Sequence, residues 1–189
     1  MRAFTLGREE STPDEVWLLT HPALYSLGLN GDPKHIIGQP QYPIIHTDRG
    51  GQVTWHGPGQ LIIYTLVDLK RMGFGIRAYV SLLEETVIRL LGQYGIKAAS
   101  RPEAPGVYVD GDKIASIGLK VTQGRCYHGL SLNVNPDLLP FTRINPCGYE
   151  GLRVTSLEKL GIKTTVDEIG PAAITSFLTL VATRGHKTP

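Results

Sequence analysis

The sequence predicts an α/β or α+β domain built of mixed β-sheets with packed helices, and three features carry that prediction. One strongly amphipathic helical stretch, from about Ile76 to Tyr94, stands between strand-like runs. An Asp-Gly pair joins two β-type segments in GVYVDGDKIASIGLKV, the strongest short hairpin signal. The run CYHGLSLNVNPDL then alternates with period two. A length of 189 residues suits a single domain spanning 1–189, large enough to bury an ordinary core.

Taken in order, EVWLLTHP reads as a buried strand ended by Pro22. The stretch HPALYSLGLNGDPKHIIGQPQYPIIHTDRGGQ is punctuated by Gly and Pro and reads mostly as loop. LIIYTLVDL reads as a strand. In the helix, Tyr79, Leu82, Leu83, Thr86, Val87, Leu90, Leu91 and Tyr94 fall on one face, and Gly95 fits the C-cap. Counting by twos along the hairpin puts Lys113 on the face of Ala115, Ile117, Leu119 and Val121. Thr155 to Glu158 has capping-box spacing and predicts a short helix closed by Gly161. A last helix is expected between Thr165 and Thr183, with Pro171 near its start or kinking it.

Composition excludes several function classes. A net charge of +2, without a dense Lys/Arg block, argues against nucleic acid as a partner. The longest apolar run, LIIYTLV, is too short to span a bilayer, so no membrane role is expected. MRAFTLGREE lacks an apolar signal core, and two cysteines make no disulfide framework, which together predict a cytoplasmic setting.

The chemistry turns on RINPCGYEG. Asn145, Pro146 and Gly148 fit a type I turn that puts Cys147 third, in the bridge region where many active-site residues sit. A reactive thiol there needs a partner. Lys113 is one candidate: an ammonium at the head of an apolar stripe is partly desolvated and makes a usable base. The plainer reading lays its stem on the core and its head in water. His128 alternates with Leu130, Leu132 and Val134, as a satisfied core histidine would. His56 lies in RGGQVTWHGPGQ, whose glycines let backbone N–H groups approach a ligand closely. Cys126 and His128 are one residue apart with no second close pair, so no metal site is expected.

Three blocks, RGGQVTWHGPGQLIIYTLVDL, APGVYVDGDKIASIGLKV and YHGLSLNVNPDLLPFTRINPCGYEG, resemble in order and spacing the lipoyl(octanoyl) transferases, from Asp14 to about Leu160. The resemblance implies the fold of the biotin/lipoate protein ligase catalytic module. It also implies the first step of endogenous lipoate synthesis: an octanoyl group moves from acyl carrier protein to a lysine of lipoyl domains on 2-oxoacid dehydrogenases or glycine-cleavage H protein. By this resemblance Cys147 is the acyl-carrying nucleophile and Lys113 its partner. The acyl group would be held by Arg49, Gly50, Gly51, Gln52, Val53, Thr54, Trp55 and His56, with Ser116, Ile117, Gly118, Gly129, Leu130 and Ser131 completing the pocket. No ATP or metal is implied, because the donor carries its acyl group as a phosphopantetheine thioester. Backbone N–H groups near Gly118 or Gly148 are expected to stabilise the oxyanion. Lys70, Arg71, Arg77, Arg143 and Arg153 are candidates for a basic rim facing an acidic carrier protein.

The family begins earlier than MRAFTLGREE, so the N-terminus is expected to be short relative to it. Three other readings compete: an ATP-dependent lipoate or biotin protein ligase, a non-catalytic lipoyl-binding module, and a Cys-His hydrolase using His56 or His128.

Overall fold

The structure, a computed structural model, describes residues 1–184. Its elements are α1 (Arg2–Leu6), β1 (Glu15–Leu19), β2 (Leu24–Leu27), β3 (Ile44–His46), β4 (Val53–His56), β5 (Gln60–Asp68), α2 (Ile76–Gly92), β6 (Ala99–Ser100), β7 (Gly106–Val109), β8 (Asp112–Thr122), β9 (Arg125–Asn133) and α3 (Val166–Arg184). Six strands form one sheet in the order β1-β5-β9-β8-β7-β6, and three form a small sheet in the order β3-β2-β4. Every pair in the large sheet is antiparallel, while β2 and β3 run parallel, so only the small sheet is mixed. This is an α+β arrangement, with α2 and α3 gathered on one face of an antiparallel sheet.

Side-chain alternation divides the large sheet into two faces. Leu61, Ile63 and Val67 of β5, Ala115 and Ile117 of β8, and Leu130 and Leu132 of β9 pack under α2 and α3. Helix α2 supplies Tyr79, Leu82, Leu83, Val87, Leu90 and Leu91 to this core, each about 2 kcal/mol of burial. The predicted apolar face is therefore the packed face, except that Tyr94 lies beyond the helix and is 37% exposed. Gly95 ends α2 as expected, with Gly95 N–H reaching the Gly92 carbonyl and Ile96 N–H the Leu91 carbonyl. The opposite face of the large sheet looks toward the small one, which has its own core of Tyr25, Leu27, Val53, Trp55, Phe141 and Ile144.

Several local readings change. EVWLL is an edge strand and only half buried, because β1 has a single neighbour. The stretch read as loop between His21 and Gln52 contains β2, β3 and a 3-10 turn at Pro33–His35. These strands are three or four residues long, too short for alternation to register. The Thr155–Glu158 spacing caps no helix and gives a turn that ends at Gly161. The reciprocal capping bonds form one segment later, where Thr165 and Glu168 exchange side-chain-to-backbone bonds at the start of α3. Pro171 sits near the start of α3, within the helix. No helix among the described residues is long and apolar enough to cross a membrane.

Gly129 fixes how closely β5 and β9 approach. A Cβ there would lie 1.9 Å from the Ile63 carbonyl oxygen, a backbone atom that no rotamer change can move. Gly129→Ala is expected to cost about 3 kcal/mol of stability in urea unfolding. A variant within about 0.5 kcal/mol of wild type would show that the two strands separate freely.

Candidate active site

Two cross-strand rows form the floor between the sheets. Ile62, Ser131 and Ser116 stand opposite one another on β5, β9 and β8, and Tyr64, Gly129 and Gly118 form the next row. Serine and glycine at the inner positions of both rows leave a hollow where larger side chains would fill the gap. The small sheet roofs it with Leu24 and Ser26 of β2, Ile45 of β3 and residues of β4, enclosing a cavity of about 210 Å³.

Cys147 stands at the edge of this cavity. Its backbone has φ 58 and ψ 15, the left-handed region and not the bridge region expected of a type I turn. Positive φ at the third position is what a type II turn requires. The Gly148 N–H is spent on the Asn145 carbonyl at 2.9 Å, so it is not a spare oxyanion donor.

Lys113 meets Cys147 from the other side. Its Nζ lies 3.0 Å from Cys147 Sγ and also donates to the Pro105 carbonyl at 2.9 Å. The side chain is 1% exposed, so the reading with its head in water does not hold. Counting by twos also misplaced it. A register shift opposite Val107 and Tyr108 breaks the alternation of β8. Ile114 and Ala115 both enter the helix-side core, while Lys113 turns to the cavity side with its partner Tyr108.

His56 is not beside the thiol; it belongs to a directed chain of hydrogen bonds. Arg49 donates from Nε and Nη2 to Ser26 Oγ, and Ser26 Oγ meets His56 Nε2 at 3.1 Å. His56 Nδ1 meets Gln60 Oε1 at 2.7 Å, Gln60 Nε2 donates to Asn133 Oδ1, and Asn133 Nδ2 donates to the Thr155 carbonyl. The chain assigns the proton to Nδ1 and keeps Nε2 an acceptor. Burial, with the nearby Arg49 charge adding to it, pulls the His56 imidazole down to about 4. Arg49 folds its own loop around itself, donating also to the carbonyls of Ser26, Gly50 and Gln52, and burial lowers it to about 10.

His128 is the second correction. Alternation puts it in the core with Leu130, but φ 64 turns its ring into the cavity, where Nε2 meets Asp48 Oδ1 at 2.8 Å. Cys126 stays in the helix-side core, where burial pushes its thiol up to about 12, so the two residues face opposite ways.

Of the residues expected to hold the acyl group, Arg49, Gly51, Gln52, Val53, Thr54, His56, Ser116, Ile117, Gly118, Gly129, Leu130 and Ser131 line the cavity. Trp55 and Gly50 do not. Trp55 is 2% exposed and packs edge-on to Phe141 in the small core, since neighbours on β4 point oppositely. Gly50 tethers the loop, its N–H donating to the Leu119 carbonyl at 2.8 Å. His21, Ser26, Ile45, Thr47 and Tyr64 also line the cavity and lay outside the sequence reading. Ser26 and Ile45 fall in the stretch taken for loop, and Tyr64 was legible only as a strand residue.

His56 also makes a stability prediction. Its folded value lies below the unfolded one of about 6.5, so the unfolded chain binds this proton first and acid favours unfolding. Stability from this group is complete above about pH 6.5 and is lost, by about 3 kcal/mol, as pH falls to about 4. His56→Gln is expected to flatten urea-unfolding stability across that window. A wild-type slope retained in the variant would place the titration elsewhere.

Residues 2–178 match the family model of the lipoyl protein ligase A/B catalytic domain. An octanoyltransferase of Methylococcus capsulatus is 55% identical over 178 residues, covering 94% of this chain and 86% of the relative. One of Laribacter hongkongensis is 48% identical, covering 100% and 91%. Among solved structures, a lipoate-protein ligase A bound with ATP superposes with a TM-score of 0.79 at 14% identity, covering 96% of this chain and 78% of that one. A biotin protein ligase from Aquifex aeolicus gives 0.59 at 18% identity, covering 87% and 72%. The distant structures carry the fold alone. The family match and the near relatives carry the membership: the chain belongs to the lipoyl protein ligase A/B catalytic-domain family, among its octanoyltransferases.

Proposed function

We propose that this protein is a lipoyl(octanoyl) transferase that moves an octanoyl group from an acyl carrier protein to a lysine of a lipoyl domain through an acyl-Cys147 thioester. The observation that carries the residue assignment is the 3.0 Å contact between Lys113 Nζ and Cys147 Sγ, at the edge of a hollow floored by serine and glycine. A thiolate is the nucleophile, and an adjacent amine that takes the thiol proton supplies it.

In the first half-reaction Sγ bonds the octanoyl carbonyl carbon, and the bond to the phosphopantetheine sulfur breaks. The proton held by Lys113 passes to that leaving sulfur. In the second, the amine of the target lysine attacks the thioester carbon and its proton goes to Lys113. The Sγ–carbon bond then breaks, restoring the starting pair. Thioester exchange followed by amide formation runs downhill, so this chemistry calls for neither ATP nor metal. The acyl chain lies along the rows Ile62–Ser131–Ser116 and Tyr64–Gly129–Gly118. Two bulky protein substrates using one thiol in turn give ping-pong kinetics.

The carrier protein is acidic and approaches the face holding the Cys147 turn. Arg143 is exposed beside that turn, whereas Arg71 and Arg153 are paired with Asp14 and Asp112. An ATP-dependent ligase on the same fold would form an acyl-adenylate and would have no use for a thiol in contact with a buried lysine. The thiol–lysine contact therefore favours transfer.

Incubation with octanoyl-carrier protein without ATP is expected to add one octanoyl mass, labile to hydroxylamine, that passes to an added lipoyl domain. Cys147→Ala is expected to abolish the adduct and Cys126→Ala to keep it. Lys113→Ala is expected to slow its formation at least about 100-fold. Absence of an adduct from wild type, or its persistence in Cys147→Ala, would sink the proposal.

A further inference from the structure

One carboxylate interrupts the apolar face of α2. Glu84 is 7% exposed, and its Oε1 accepts the Gly106 backbone N–H at 3.0 Å. That N–H belongs to the Pro105–Gly106 peptide, whose other end, the Pro105 carbonyl, accepts from Lys113 Nζ at 2.9 Å. One peptide group thus joins a buried carboxylate to the amine that touches Cys147 Sγ. Its dipole is aligned for both partners, N–H toward the anion and C=O toward the cation, and in such a chain each bond polarises the next.

The surroundings fix the amine's direction. Tyr108 donates its hydroxyl hydrogen to the Ala104 carbonyl at 2.7 Å, so at 3.2 Å from Lys113 Nζ it is an acceptor. With Pro105 and Tyr108 accepting, the third direction of the nitrogen falls on Cys147. Gly106 makes this approach possible. Its φ is +142, and a Cβ there would lie 2.7 Å from Lys113 Cε and 2.9 Å from Nζ.

We propose that Glu84 is a positioning residue, a buried anion that acts through the Pro105–Gly106 peptide to hold the proton and the aim of Lys113 toward Cys147. The inference rests on Cys147 and Lys113 being the acyl-transfer pair. An amine backed by this anion is a stronger acceptor for the thiol proton, because the carboxylate favours the ammonium it becomes. When the proton leaves with the carrier thiol, the remaining amine keeps two N–H bonds, to Pro105 and Tyr108, and so keeps its aim. Burial pushes the Glu84 carboxyl up, opposed by the Gly106 N–H and the Lys113 charge. The other groups facing the pair are Arg49 from the loop before β4, Arg101 stacked 4.3 Å over the Tyr108 ring, the Asp112–Arg153 ion pair and His35 beside Gly148.

The competing role is that Glu84 merely satisfies the Gly106 N–H, and Glu84→Gln separates the two because its amide oxygen keeps that bond. Lys113 is read directly by NMR titration of 13Cε-labelled lysine, assigned with Lys113→Arg, with no acyl donor present. In Glu84→Gln its transition is expected to move to lower pH by about one unit, since the ammonium has lost its anion. Steady-state octanoyl transfer is expected to show kcat about tenfold lower with KM within about twofold, and the alkaline edge of its pH profile moved to lower pH. In wild type, the Glu84 13Cδ signal is expected to register the Lys113 transition, a test independent of how the variant folds. An unmoved Lys113 transition with wild-type kcat, or a Glu84 signal blind to Lys113, overturns the proposal. A wild-type protein with the NMR coupling but no Cys147 adduct would overturn the acyl-transfer reading and leave the Glu84–Lys113 link standing.

Discussion

Burying the ammonium of Lys113 is the constraint around which this site is built. An ion moved out of water costs several kcal/mol unless its donors are met, and here Pro105, Tyr108 and Cys147 meet all of them. Each partner depends on a different part of the chain. The Pro105 carbonyl is set by the chain entering β7, and Tyr108 comes from β7 itself. Cys147 arrives from a turn thirty-four positions away in sequence. The register shift between β7 and β8 brings them together, because without it Lys113 would point into the helix-side core.

The same strands serve two purposes on their two faces. Toward α2 and α3 they present Leu, Ile and Val, and that packing holds the sheet rigid. Toward the small sheet they present Ser116, Gly118, Gly129 and Ser131, which leave a hollow. A hollow between two sheets needs something other than side-chain packing to fix its width. The hydrogen-bonded chain from Arg49 through Ser26, His56, Gln60 and Asn133 to Thr155 does this, running from the small sheet to the segment beside Lys113. Because every member has a defined donor and acceptor role, the chain holds one arrangement.

Much of this was legible in the sequence, and the parts that were not share a cause. The Asp110-Gly111 hairpin, the packed face of α2 and the oddity of a cysteine in an Asn-Pro-Cys-Gly turn all depend on near neighbours in the chain. Lys113 was picked out but assigned to the wrong face, since one irregular residue in β8 flips the alternation for the residue that precedes it while Ala115, Ile117 and Leu119 beyond it keep theirs. His128 was placed in the core for the same reason, its positive φ being invisible to a count by twos. The small sheet went unread because β2 and β3 are held by pairing with each other and with β4, more than by their own pattern. Glu84 has no partner near it in the sequence to mark it, and only the tertiary position of Gly106 shows what it meets.

The charges around Cys147 also explain why two cations are tolerated in so enclosed a place. All the side-chain bonds of Arg49 go to neutral acceptors, the Ser26 hydroxyl and the Ser26, Gly50 and Gln52 carbonyls, so its charge is left for the cavity. The Cys147 charge draws that guanidinium back up against the lowering effect of burial. With Cys147 as thiolate and Lys113 as ammonium, the anions Glu84 and Cys147 balance the cations Arg49 and Lys113. In the proposed acyl-enzyme, Cys147 carries a neutral thioester and Lys113 has given its proton to the departing sulfur. Glu84 and Arg49 then balance one another. The site holds the same net charge before and after the acyl group arrives, so neither half of the reaction has to bury an uncompensated ion.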